Sequence, residues 1–165
     1  MATTFATDVD VLNYALTLEH FESALYKALI AANKLTDPTE QKYLTAFGKH
    51  EATHVTLLTE VITLLGGTPV APRSMYNLPM IASRDDVVNN ILSVEDVGAS
   101  AYLGAAGMIQ SKDLLEVAVN IHNVEAEHAS AWRFVANMKS APDTIAKGRT
   151  PDEVLMIVTP FLGPA

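Results

Sequence analysis

Two Glu-x-x-His motifs, Glu51-Ala52-Thr53-His54 and Glu125-Ala126-Glu127-His128, constrain this chain more than any other feature. In a helix, residues three apart sit about one turn apart, so each motif puts a carboxylate and an imidazole on one face. Each motif follows a lone glutamate in a helical pattern. Glu19 precedes the first by 32 residues and Glu95 precedes the second by 30. Seven residues past each of these glutamates comes a tyrosine, Tyr26 and Tyr102. Both halves therefore read Glu, then Tyr, then Glu-x-x-His. A fold that brings the halves together gathers four carboxylates and two imidazoles.

That donor set points to a pair of metal ions. Glu19, Glu51, His54, Glu95, Glu125 and His128 are the candidate ligands. Glu51 and Glu125 are expected to bridge, Glu19 and Glu95 to be terminal, and each ion to take one histidine. Four carboxylates balance two divalent cations. Without metal, crowded like charges raise one another's pKa values. Protonating the carboxylates then favours the metal-free fold, and protonating the two imidazoles is expected to oppose that trend. Carboxylates with one imidazole per ion suit iron(II) or manganese(II), with zinc as a possible substitute.

Flanking residues have plainer readings beside sharper ones. Tyr26 and Tyr102 read as core aromatics whose hydroxyls meet a carboxylate, or as donors and redox-active groups beside the metals. Glu22 lies one turn past Glu19, but its counterpart in the repeat is Gly98. A surface or supporting role is favoured for Glu22 over that of a seventh ligand or access-path acid. His20 and His50 read as partly exposed, His122 as a neighbour of the site, and Trp132 as core. Gly98, Gly104 and Gly107 read as close-packing positions, with Gly98 leaving room beside the metals.

Apolar residues at spacings of three and four predict a first helix from Asp8 to about Asn33, capped by Thr7 or Asp8. Asp37-Pro38-Thr39-Glu40 reads as a cap, a first-turn proline and a capping-box acid, opening a second helix that ends at Gly66-Gly67. Thr68 to Ala82 holds Pro69, Pro72 and Pro79 and reads as a long connection. Ser83 with Asp86 opens a third helix to about Gln110, and Ser111 a fourth to about Met138. After a loop, Thr150-Pro151-Asp152-Glu153 starts a short last helix, about Pro151 to Thr159. The expected fold is all-α: one domain over residues 1–165, with a four-helix bundle at about 8–138 and a tail at 139–165. Its long crossover joins helices two and three.

Composition narrows the function. A net charge of −8 leaves no basic surface for nucleic acid or anionic lipid. The chain has no cysteine, which removes thiolate metal sites and cysteine nucleophiles. No apolar run reaches the ~18 residues of a spanning helix. Met1 to Asp8 shows no signal-peptide pattern, so the compartment is expected to be cytoplasmic, or exported if a leader has been removed. The hydrophobic fraction of 49% and the apolar last helix predict a homodimer, with the crossover or C-terminal segment at the contact.

These motifs, with Asn13-Tyr14-Ala15-Leu16-Thr17-Leu18-Glu19-His20-Phe21-Glu22, resemble the ferritin-like superfamily over about residues 8–138. Within it, the chain looks most like the ferritin-like domain family that includes desiccation-related and stress-induced proteins. The resemblance implies a di-iron or dimanganese bundle without fixing its reaction. The expected function is a dinuclear metalloprotein reacting with O2 or peroxide, as an oxidase, peroxidase-like or ferroxidase-like protein, and the alternative is a non-enzymatic, stress-related metal-binding or structural protein. A storage ferritin carries a single Glu-x-x-His helix at its ferroxidase site, whereas this chain has two. A 24-subunit cage is therefore not expected.

Overall fold

A computed structural model describes residues 3–164. Five α-helices carry the fold: α1 (Asp8–Ala32), α2 (Pro38–Leu64), α3 (Arg84–Ala105), α4 (Lys112–Val135) and α5 (Pro151–Leu162). A short 3-10 turn, Ala106–Met108, follows α3, and no strand occurs among the described residues. α1 packs along α2, and α3 along α4. The two hairpins meet mainly through α1 and α3.

Local chemistry sets most boundaries. Thr7 caps α1 in a capping box with Asp10, and Asn33 ends it in the left-handed conformation at φ 50°. Asp8 does not cap. Its carboxylate accepts from the amides of Gln110 and Ser111 at 2.8 and 2.9 Å, tying the α3–α4 connection to the start of α1. Asp37 caps α2 alone, accepting from the amides of Thr39 and Glu40. The expected capping-box role of Glu40 is not met, because its carboxylate turns to the guanidinium of Arg84 on α3. Ser83–Asp86 and Thr150–Glu153 form the expected boxes, and Ser111 caps α4.

Three ends differ from the sequence reading. α3 stops at Ala105 rather than Gln110, where Gly104 lies against the backbone of Gly148 and Arg149. Arg149 is anchored there, its amide donating to the Ser100 carbonyl at 2.9 Å and its guanidinium to the Asp96 carbonyl at 3.0 Å. α4 stops at Val135, just before Asn137 turns the chain at φ 57°. α5 continues past Thr159 to Leu162 with Pro160 in its last turn. Asn77 of the crossover donates to the carbonyls of Pro160 and Phe161, satisfying groups left open at that end.

The crossover, residues 68–82, runs over α1. Asn13 receives the amide of Val70 at 2.7 Å and donates to the carbonyl of Thr68, and His20 contacts the carbonyl of Val70. α5 covers the α1–α3 seam, burying Val154, Val158 and Leu162 against Tyr14, Leu18 and Val97. Much of the apolar tail is therefore consumed within the chain, although Met156 remains 78% exposed. No helix of the described residues is long and apolar enough to cross a membrane.

Candidate metal centre

The bundle interior holds an unusual density of ionisable groups. Glu19, Glu51, His54, Glu95, Glu125 and His128 are all buried, as is Glu22. Each of the four bundle helices carries its expected share. α1 supplies Glu19, α2 Glu51 and His54, α3 Glu95, and α4 Glu125 and His128.

The six side chains form two overlapping groups. Glu19, Glu51, His54 and Glu125 make one, and Glu51, Glu95, Glu125 and His128 the other. Within each group, one donor atom per residue lies within 4.8 Å of the others. Glu51 and Glu125 belong to both. His54 Nδ1 lies 3.3 Å from Glu19, 3.4 Å from Glu51 and 3.1 Å from Glu125. His128 Nδ1 lies 3.1 Å from Glu51 and 3.3 Å from Glu95.

These contacts are short but lack hydrogen-bond geometry. Ten buried side-chain atoms have no hydrogen-bond partner among the described residues, and eight belong to these six residues. Native interiors pair nearly all such atoms. Here the unpaired atoms converge, which is the arrangement of a ligand shell. Oxygen and imidazole donors without sulfur fit a hard or borderline divalent cation.

Without a cation, the cluster keeps protons. Burial and the neighbouring carboxylates push Glu19 and Glu125 up to about 8, against partial relief from His54. Burial also raises Glu95 and Glu22. Burial opposes ionisation of Glu51, but His128 and His54 overcome it and hold the group near about 2. The same burial would lower both imidazoles. Their carboxylate neighbours reverse this, lifting His54 to about 12 and His128 to about 10. Protonating the imidazoles therefore stabilises the metal-free fold and reinforces the carboxylate trend, contrary to expectation.

The tyrosines cross between the halves. Tyr102 on α3 donates to Glu19 on α1 at 2.6 Å, and Tyr26 on α1 donates to Glu95 on α3. This reciprocity requires α1 and α3 to run antiparallel, with each hydroxyl orienting the other half's terminal carboxylate. Trp132 is core, as expected, and its indole N–H donates to the Tyr26 oxygen at 3.2 Å.

Other residues fall where spacing alone did not place them. Glu22 is 3% exposed, so the surface reading fails. Gly98 explains its burial. A Cβ there would lie 2.8 Å from Glu22 Oε1 and 2.9 Å from Glu125 Oε2. The missing side chain on α3 is the space that Glu22 fills. His122 contacts the Ala99 carbonyl and stays outside the ligand groups. His50 is exposed but sets its Nδ1 2.9 Å from His128 Nε2. Phe47 stacks on the His128 ring with centroids 4.0 Å apart. Both were findable, since Phe47 is one turn before Glu51 and His50 one turn before His54.

Comparison with known proteins agrees with this architecture. Two similar solved structures are a conserved hypothetical protein of Mycobacterium tuberculosis and a dodecameric thioferritin, a bacterioferritin-related protein of Bacteroides fragilis. The first is 22% identical, with a TM-score of 0.71 over 81% of this chain and 99% of that one. The second is also 22% identical, with a TM-score of 0.66 over 78% and 83% of the two chains. At such identity they establish the fold alone. No curated protein matches the sequence. The model of the ferritin-like domain matches residues 7–138, four helices and all six candidate ligands included, and the chain belongs to that family.

Proposed function

We propose that this protein is a dinuclear carboxylate metalloprotein, using iron or manganese to react with O2 or peroxide. The observation that carries this reading is the pair of overlapping donor groups, built from eight buried atoms without partners. Glu19 and His54 would hold one ion and Glu95 and His128 the other, with Glu51 and Glu125 shared. Such a metal pair, when bound, supplies electrons for the reduction of O2 or the turnover of peroxide.

The chain's residues perform the rest. Tyr102 and Tyr26 fix the terminal carboxylates through their hydroxyls. His50 orients the His128 ring from its outer nitrogen, and Phe47 covers that ring. The apolar walls exclude bulk water, which strengthens each charge interaction inside. Glu22 places a further carboxyl beside Glu125, where a small molecule could reach it. That position favours a reactive site over a closed structural one.

Metal analysis after loading with iron(II) or manganese(II), followed by mixing the reduced iron form with O2, tests the reading. About two metals per chain and rapid oxidation are expected. Less than about a tenth of a metal per chain would defeat the site. Full loading with no reaction toward O2 or peroxide would leave the non-enzymatic, stress-related role. We further propose a homodimer, with exposed apolar residues such as Met156 at the contact. Light scattering decides this, and a mass near 17.8 kDa would exclude it.

A further inference from the structure

A cleft opens beside the centre, between α1, α3, α5 and the crossover. Its walls include Phe21, Val94, Val97, Ile157 and Phe161, and among the described residues Glu22 is the single titratable one lining it. Its cavity volume is about 60 Å³, several times the ~10–15 Å³ that one water needs. Val97 is buried, while Ile157 stands 38% exposed at the α5 side. Glu22 Oε1 faces Gly98 beside Glu125, and Glu22 Oε2 is buried without a partner.

An unpaired buried carboxyl at an apolar cleft is a costly arrangement that a ligand's hydrogen bond would relieve. We infer that this cleft binds a small, mainly apolar molecule with one hydroxyl, such as a short-chain alcohol or hydroperoxide. Its hydroxyl pairs with Glu22, and its chain lies along α3 and α5. The inference deepens the metalloprotein reading and rests on it for a substrate role, because Glu22 and Glu125 share the space above Gly98. The apolar walls suit a chain of few carbons.

The two halves of the repeat differ here. Position 98 holds glycine where position 22 holds glutamate, and α5 covers this seam alone. The glutamate at 22 and the glycine at 98 together supply the carboxyl and the space it enters. The cleft is therefore a feature of one side of the bundle.

The test titrates full-length protein, as purified and after zinc loading, with 1-pentanol and with 1-methoxybutane, which lacks the donor. Amide NMR shifts follow Val94, Val97, Ile157 and Phe161, and metal content is measured on the same samples. Saturable shifts at these residues are expected, with the alcohol bound more tightly than the ether. Glu22→Leu should weaken the alcohol roughly five- to tenfold and leave the ether unchanged. Glu22→Gln, which keeps a polar head, should retain most of the binding. Ile157→Trp, at a partly exposed position, should block both ligands without altering metal content.

Shifts that do not saturate, or that map elsewhere, overturn the inference. So does equal affinity for alcohol and ether, or a Glu22→Leu variant that loses metal while its alcohol binding is unchanged, which would make Glu22 a ligand. Saturable, Glu22-dependent binding without metal uptake supports the pocket and defeats the metalloprotein reading. Metal uptake without saturable binding overturns the pocket alone.

Discussion

Gly98→Ala separates the stability of the bundle from the geometry of its centre. The substitution removes a glycine from a helix interior, a gain of about 1 kcal/mol. It also places a Cβ 2.8 Å from Glu22 Oε1 and 2.9 Å from Glu125 Oε2, where ordinary contact begins at 3.4 Å. Each oxygen must retreat by roughly half an ångström. Both are ends of flexible side chains, so each rotation costs about 0.5–1.5 kcal/mol. The two rotations together exceed the gain by about 0–2 kcal/mol, and thermal melting should fall by no more than about 8 °C. Metal binding has no such compensation, because a ligand shell tolerates only about 0.5 Å of displacement. Affinity should fall about 10- to 100-fold, measured by chelator competition with manganese(II). Gly107→Ala, with nothing within 4 Å of the added carbon, serves as the control. Unchanged metal affinity in Gly98→Ala would refute the argument, and so would a melting drop of more than about 8 °C.

Other outcomes follow from the same geometry. Glu51→Ala and Glu125→Ala should each lose most bound metal by elemental analysis, and full occupancy in both would remove their shared role. Metal-free protein should melt higher at about pH 5.5 than at about pH 8. Above ~4.5 the unfolded chain has released carboxyl protons that folded Glu19 and Glu125 keep to about 8. Above ~6.5 it has also released imidazole protons that folded His54 and His128 keep to about 12 and about 10. Both sets lose stabilisation as pH rises, and a melting temperature that rises instead would contradict them. Tyr26→Phe strands the Trp132 N–H as well as Glu95, and should cost about 1–3 kcal/mol by urea unfolding. Tyr102→Phe, which loses one partner, should cost less. Gly104→Ala should destabilise by about 1–3 kcal/mol, because its Cβ would overlap the rigid backbone of Arg149.

The repeat was legible because helical spacing alone puts Glu51 with His54 and Glu125 with His128 on single faces. Caps were legible where a side chain serves its own helix, as Thr7, Ser83 and Thr150 do. Readings weakened wherever a distant segment competed for the same group. Glu40 answers Arg84 across 44 positions instead of capping α2. α3 ends where the loop backbone at Arg149 lies against Gly104, and α5 runs on because Asn77 donates to its last carbonyls. For Glu22 the surface alternative alone failed, for a related reason. Its match is a missing side chain on another helix, and symmetry with Gly98 looked like evidence against function when it marked complementarity.

The crossed tyrosines bear on how such a chain could arise. Neither hairpin orients its own terminal carboxylate, since Glu19 depends on Tyr102 and Glu95 on Tyr26. A lone hairpin with one copy of the pattern would meet both needs by pairing with an identical hairpin about a twofold axis. Joining two such copies in one gene would preserve the centre while releasing each position to diverge. The glutamate at 22 and the glycine at 98 are the kind of difference that only the joined form permits. Severing the crossover should therefore yield two fragments that are each incompetent and that recover the centre when mixed.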